Sequence, residues 1–282
     1  MKIALTGGTG YIGSVVLEQL IAAGHAVTAL VRSDEAAAKV AKAGAEAAVG
    51  DVYDTAWTAR LFAAADAVVH TAAPGDGTSE QFDRAIVAAA VEALSGTGKP
   101  YVHTSGVWIY GDNADITEDT PPAPPALTAW RTAVERLVLD ADLVATIVAP
   151  GIVYGHGGGI PAGVLAPGRD EAGRVRLVGD GSQHWTTVHV EDVAALYVTV
   201  AERGERLGYV LAVSGANPTV REVAEAASGG AGVAPETAED SRARFGALFA
   251  DALLLDQQAT GAKARSLGWT PARPTLLEEL SR

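Results

Sequence analysis

The 282-residue chain contains no cysteine, which excludes disulfides, thiolate metal sites and a cysteine nucleophile. Basic side chains are scarce: 21 Lys and Arg stand against 34 Asp and Glu, a formal net charge of −13. That field repels phosphate backbones and anionic lipid surfaces, so neither nucleic acid nor a membrane is expected as a partner. A local basic pocket for a small anion is still compatible with it. No uninterrupted apolar run reaches the roughly 18 residues a membrane span needs. The first apolar run is only Ile3, Ala4 and Leu5 before Thr6 and Gly7, too short for a signal peptide. A soluble, cytoplasmic protein is expected. The six histidines show no metal-ligand spacing, so no metal site is expected, and Gly-x-Ser-x-Gly, the commonest serine-hydrolase signal, is absent.

Apolar residues make up 48% and charged residues 20%, an ordinary globular composition. The first half alternates short β-branched runs with alanine-rich helical runs. The patterning predicts strands at 2–6, 26–31, 45–49, 66–70, 100–104 and 143–148, and helices at 11–23, 34–43, 54–64, 79–94 and 127–141. Apolar strands without clean alternation, each followed by a helix, imply a parallel sheet covered on both faces. The expected fold is therefore α/β, a doubly wound parallel sheet. After Pro150 the texture changes. Residues 156–173 read as Gly- and Pro-rich loops with short inserted elements, 190–203 as a helix and 209–213 as a strand returning to the sheet. Residues 219–282 read as short helices. The expected organisation is a nucleotide-binding Rossmann domain over 1–150, joined by 186–213, with a substrate-binding cap from 151–185 and 214–282.

Thr6-Gly7-Gly8-Thr9-Gly10-Tyr11-Ile12-Gly13 lies where the first strand meets the first helix. Gly8, Gly10 and Gly13 satisfy G-x-G-x-x-G, and Gly7, Gly10 and Gly13 the related G-x-x-G-x-x-G. A diphosphate approaching backbone amides requires positions without a Cβ, and the following helix offers free N–H groups and the positive end of its dipole. The preceding strand and following helix supply the context the motif requires. The second strand ends Leu30-Val31-Arg32-Ser33, where an NAD site usually places an acid on the ribose 2′-hydroxyl and an NADP site an arginine. Asp34 comes late, and capping the next helix together with Ser33 accounts for it. NADP is therefore the expected cofactor, with NADPH bound more tightly than NADH; an ordinary solvated arginine is the alternative.

The glycine segment, Gly50-Asp51-Val52, Val69-His70-Thr71-Ala72-Ala73 and His103-Thr104-Ser105-Gly106-Val107-Trp108-Ile109-Tyr110-Gly111 together resemble the short-chain dehydrogenase/reductase superfamily. The likeness is greatest to its extended branch, the NAD-dependent epimerase/dehydratase group. It continues through Ala149-Pro150-Gly151-Ile152-Val153-Tyr154-Gly155 and Val188-His189-Val190-Glu191-Asp192-Val193-Ala194 to Ala264-Arg265-Ser266-Leu267-Gly268-Trp269-Thr270-Pro271. The resemblance implies that Gly7, Gly10, Tyr11, Ile12 and Gly13 cradle the cofactor with Arg32, Ser33 and Thr104. It implies that Asp51 and Val52 hold the adenine, that Ala72 and Ala73 flank the cofactor, and that Pro150, Ile152 and Val153 line the nicotinamide.

The resemblance also implies a Ser–Tyr–Lys set, and here the sequence departs from it. Spaced from Tyr110-Gly111, the serine position falls on Gly106, beside Ser105 and Thr104. Counted back from Glu135, the lysine position becomes Arg131 and the tyrosine position Leu127. Arginine keeps the charge but its proton is not available near neutral pH. Leu127 and Arg131 are expected on one helix face, with Arg131 on ribose hydroxyls. Ser105, Tyr110, Arg131 and Tyr154 are the candidate catalytic residues. Trp108, His156, His184 and Trp185 are the candidate substrate contacts, each with packing or idle exposure as its alternative. His70 and His103, at strand ends, read as structural.

The leading reading is an NADP(H)-dependent oxidoreductase reducing a carbonyl or related group on a small, rather apolar substrate. The alternatives are a nucleotide-bound epimerase, dehydratase or isomerase, and a non-catalytic nucleotide-sensing regulatory protein. A small-molecule substrate is the expected partner, and the superfamily's habit implies a homodimer through the helices at 79 and 127.

Overall fold

The structure is a computed structural model that describes residues 1–165 and 168–281. Residues 166 and 167, inside the stretch expected as loops at 156–173, lie outside the described residues. The chain divides into two compact units. One holds residues 1–105, 130–148 and 193–210, and the other 106–129, 149–192 and 211–282.

Regular alternation dominates the first hundred residues: β1 (Lys2–Thr6), α1 (Tyr11–Ala22), β2 (Ala26–Val31), α2 (Asp34–Lys42), β3 (Glu46–Val49), α3 (Thr55–Ala64), β4 (Ala67–His70), α4 (Ser79–Leu94) and β5 (Pro100–Thr104). Then follow β6 (Asn113–Ile116), α5 (Ala129–Asp140), β7 (Val144–Pro150), β8 (Ile152–Gly155), α6 (Gly159–Leu165), β9 (Val175–Arg176), β10 (Thr187–His189), α7 (Val190–Arg203) and β11 (Gly208–Ala212). The chain ends with α8 (Val220–Ala227), β12 (Val233–Ala234), α9 (Ala238–Phe245), α10 (Ala247–Leu253), β13 (Gln257–Ala259), α11 (Ala262–Ser266) and α12 (Leu276–Leu280).

Seven strands form the central sheet in the order β11-β7-β5-β4-β1-β2-β3. The pairings from β7 across to β3 are parallel, the doubly wound arrangement expected from the sequence. The strand order reverses between β1 and β4, and ligands in such sheets bind in the crevice at that reversal. Ala4, Leu30, Val68, Tyr101 and Ile147 point to one face, where they pack on Phe62 of α3, Ile86 and Leu94 of α4, and Val134 and Val138 of α5. In the second unit, Trp185, Leu177, Val178, Val223 and Leu253 lie in a separate apolar cluster.

One sequence expectation is corrected. The helix expected to begin at 127 begins at Ala129, so Leu127 lies in the preceding turn, which the Thr128 N–H closes onto Pro125 O at 3.0 Å. The turn over 126–128 uses these residues before the helix can start. The argument that Leu127 and Arg131 stack one turn apart on a helix therefore fails. Within 156–173 the chain forms α6, and the two-stranded pairs β8–β10, β9–β12 and β6–β13 went unforeseen. Strands of two to four residues carry too little periodicity to be read from sequence.

Candidate functional site

The β1–α1 turn is shaped by its glycines. Gly7 has φ +81°, and a Cβ there would lie 2.6 Å from Ala72 N. A Cβ on Gly13 would collide with Gly7 O and the Thr71 hydroxyl, so this glycine lets α1 approach β1 and β4. Gly10 differs from both. It is the N-cap of α1, and a Cβ there would meet nothing nearer than Gly7 O at 3.3 Å. No side chain caps α1 and no acid stands in its first turn. The positive end of its dipole thus faces an anion with no acid or side-chain cap opposing it.

A cleft of about 520 Å³ opens on this turn. Its wall includes Gly7, Gly10, Tyr11, Ile12 and Gly13, then Arg32 and Ser33 from the end of β2, then Val52, Ala72 and Ala73. The structure thus gathers ten of the expected cofactor residues into one cavity. Thr6, Leu30, Thr71, Pro74 and Phe82 are among the other residues of the wall and were not foreseen. Arg32 is exposed in that wall. The Ser33 hydroxyl accepts from Ala36 N at 3.2 Å and so caps α2, as expected of the residue before Asp34. Asp51 stands outside the cleft wall, its carboxylate accepting from Tyr53 N at 2.9 Å in a local turn. An uncapped helix terminus, a Cβ-free diphosphate position and a cation at the end of β2 fit a phosphorylated dinucleotide.

Behind the cleft runs a buried polar network that sequence reasoning missed. Thr6 Oγ1 and His70 Nδ1 are 2.7 Å apart, and His70 Nε2 lies 3.2 Å from Asp83 Oδ1. The other Asp83 oxygen faces His103 Nε2 at 3.8 Å and Arg131 Nη1 at 3.9 Å. The Tyr101 hydroxyl lies 3.0 Å from His103 Nδ1. Burial pushes the Asp83 carboxyl up, but His70, His103 and Arg131 outweigh it and the pKa is lowered. His103 is pushed down to about 3, chiefly by burial. Asp83 shares its α4 stripe with Ile86 and Ala90; an acid on an apolar stripe was the available signal.

Arg131 is anchored in this network. Its guanidinium donates to Thr104 O at 3.0 Å, lies 4.7 Å from the Trp130 ring centroid, and is 18% exposed. It is not a freely solvated surface charge. The Thr104 hydroxyl donates to His70 O at 2.6 Å and pairs with Tyr197 OH at 2.5 Å. Ser105 is buried beside Glu135, whose carboxyl is raised by burial against the opposing hydrogen bond that Tyr209 OH donates at 2.7 Å.

The second unit holds the other candidates. Pro150, Ile152, Val153 and Tyr110 are buried there. Tyr154 donates its hydroxyl to Pro274 O at 2.6 Å, and burial raises its pKa. Trp185 is fully buried with its indole N–H on Leu253 O at 3.0 Å, and Trp108 packs edge-on against Phe249. His184 Nδ1 lies 2.8 Å from Asp256 Oδ1. His156, at φ +54°, pairs with Glu191 at 2.7 Å.

Residues 3–212 match the model of the NAD dependent epimerase/dehydratase family. An uncharacterized protein of Saccharomyces cerevisiae is 30% identical, the alignment covering 99% of this chain and 98% of that protein. A 4-hydroxy-2-methyl-3-oxo-4-farnesyl-3,4-dihydroquinoline-1-oxide ketoreductase of Stigmatella aurantiaca is 29% identical over 72% of this chain and 65% of its own. The crystal structure of a human epimerase family protein with NADPH superposes with a TM-score of 0.73 at 23% identity, covering 100% of this chain and 99% of that one. The glycine turn at the sheet's reversal point, the seven-stranded parallel fold and the matched residues converge: the chain belongs to the NAD dependent epimerase/dehydratase family.

Proposed function

We propose that the protein is an NADP(H)-dependent oxidoreductase that reduces a carbonyl or related group on a small, rather apolar substrate. The observation that carries this reading is the cleft wall at the end of β2, where Arg32 stands in the position at which NAD sites place an acid. The human family protein whose structure contains NADPH and the ketoreductase of Stigmatella aurantiaca are both consistent with it.

In this reading the amides of α1 and the bare Gly10 position hold the diphosphate, while Arg32 and the Ser33 backbone hold the 2′-phosphate. Val52, Ala72 and Ala73 flank the adenosine half, and Arg131 holds ribose hydroxyls as the usual lysine would. When bound, the cofactor supplies the hydride. Arg131 serves binding and orientation and gives up no proton, because guanidinium is not deprotonated near neutral pH. With leucine and arginine at the positions of the usual tyrosine and lysine, the transferred proton comes from another group or from water.

Titration of NADPH and NADH into the wild type and Arg32→Ala tests the reading. Wild type should favour NADPH by about tenfold, the lower end for a charge-assisted contact because Arg32 is exposed, and the variant should lose that preference. Equal wild-type affinities would refute it. NADPH consumption with a panel of apolar carbonyl compounds tests turnover. Tightly held nucleotide with no net consumption would favour the epimerase or dehydratase alternative.

A further inference from the structure

We propose that Asp83 is a positioning residue for nucleotide binding: its buried carboxylate, held by His70, fixes the Arg131 guanidinium at the carboxyl end of β5. This rests on the reading that Arg131 holds ribose hydroxyls.

Arginine carries a long, rotamer-rich side chain, and a guanidinium that is to meet ribose hydroxyls needs a fixed direction. Two features hold it here. The Thr104 carbonyl accepts from Nη1 at 3.0 Å, and Asp83 Oδ2 faces the same nitrogen at 3.9 Å. The carboxylate is 2% exposed, and an ionised acid that deep persists only when its oxygens are occupied by donors or cations. His70 Nε2 stands 3.2 Å from Oδ1, and the hydroxyl of Thr6 fixes the far side of that ring at 2.7 Å. His103 Nε2 approaches Oδ2 at 3.8 Å, with the Tyr101 hydroxyl at its other nitrogen. The His70 contact settles which way the carboxylate points, His103 packs against Oδ2 as a neutral ring, and Arg131 supplies the positive charge that balances it.

Thr6 also lines the nucleotide cleft. A continuous polar path therefore leads from the cleft wall through His70 and Asp83 to Arg131. A lysine at 131 would be a compact charge on a flexible stem; an arginine gains direction only if something grips its fork, and Asp83 is the charge placed to do so.

The test compares NADPH with 2′,5′-ADP, which carries the adenosine half and lacks the nicotinamide ribose. Asp83→Asn keeps the shape and removes the charge. We expect Asp83→Asn to weaken NADPH about tenfold and to leave 2′,5′-ADP unchanged. Arg131→Ala should behave likewise, and the double variant should be no worse than the poorer single one, because the two residues act as a unit. An additive double variant, or equal loss of both ligands in Asp83→Asn, would overturn the positioning role. Unchanged NADPH affinity in Arg131→Ala would instead refute the reading of Arg131, whatever Asp83→Asn does. If Asp83→Asn does not fold, His70→Gln, which withdraws the ring holding Asp83 Oδ1, is read by the same criteria.

Discussion

At the residue scale, the glycines of the first turn divide their tasks between folding and binding. A Cβ on Gly13 meets backbone and the half-buried Thr71 hydroxyl, so Gly13→Ala should destabilise the protein by about 3 kcal/mol or more, because the neighbouring backbone has no room to yield. A Cβ on Gly10 meets only Gly7 O, at 3.3 Å, a tight contact that a shift of a few tenths of an ångström relieves. Gly10→Val should keep stability within about 1 kcal/mol, as expected at an N-cap already lacking a side-chain cap, yet abolish NADPH binding. Urea unfolding and NADPH titration of both variants check the pair of outcomes; a Gly10→Val protein that binds normally would remove the diphosphate assignment. His103 leads to a prediction about pH. Its ring is buried among His70, Asp83, Tyr101 and Arg131 and its pKa is lowered from 6.5 to about 3. The folded state holds it neutral while the unfolded chain takes up a proton below pH 6.5. Stability from this group is therefore complete above pH 6.5 and falls as pH drops, by about 1.4 kcal/mol per unit, until the folded pKa is reached. Urea unfolding from pH 7 to 4 should show a shallower loss in His103→Gln than in wild type. Identical slopes would mean that His103 is not held neutral.

At the element scale, legibility followed length and local chemistry. The helix expected at 79–94 and the strands at 2–6, 26–31 and 100–104 coincide with α4, β1, β2 and β5, because a long apolar stripe or a β-branched run declares itself locally. The late start of α5 shows the opposite case, where a local turn closed by Thr128 N–H on Pro125 O shifts a boundary that periodicity alone places at 127. Three short helices of the second unit depend on their starts. Thr219, Thr237 and Thr275 each form a reciprocal capping box with the acid three residues on, at the heads of α8, α9 and α12. Helices of five to eight residues are far below the length that is stable alone, so these caps and tertiary packing carry them. Thr219→Ala should cost about 1 kcal/mol in urea unfolding, with Thr219→Ser close to wild type. No measurable loss would show that packing alone fixes the start of α8.

At the scale of the whole molecule, chain order and spatial order part company. Residues 106–129 follow β5 directly yet cluster with 149–192 and 211–282, while 193–210 cluster with the first hundred residues. Among the described residues no helix is long and apolar enough to cross a membrane. The parallel doubly wound class, the glycine turn and the absence of an acid at the end of the second strand were legible in the sequence alone. Each depends on neighbours within about one strand and one helix, where periodicity and the steric demand for glycine act. The fate of Arg131 was not legible. Whether it is a solvated charge or an anchored one depends on Asp83, His70 and His103, which are far apart in the chain. They meet only because the sheet sets β4 between β1 and β5 and packs α4 and α5 on one face of it. Buried charge is stable only where such partners converge, so that part of the site was decided by the tertiary structure.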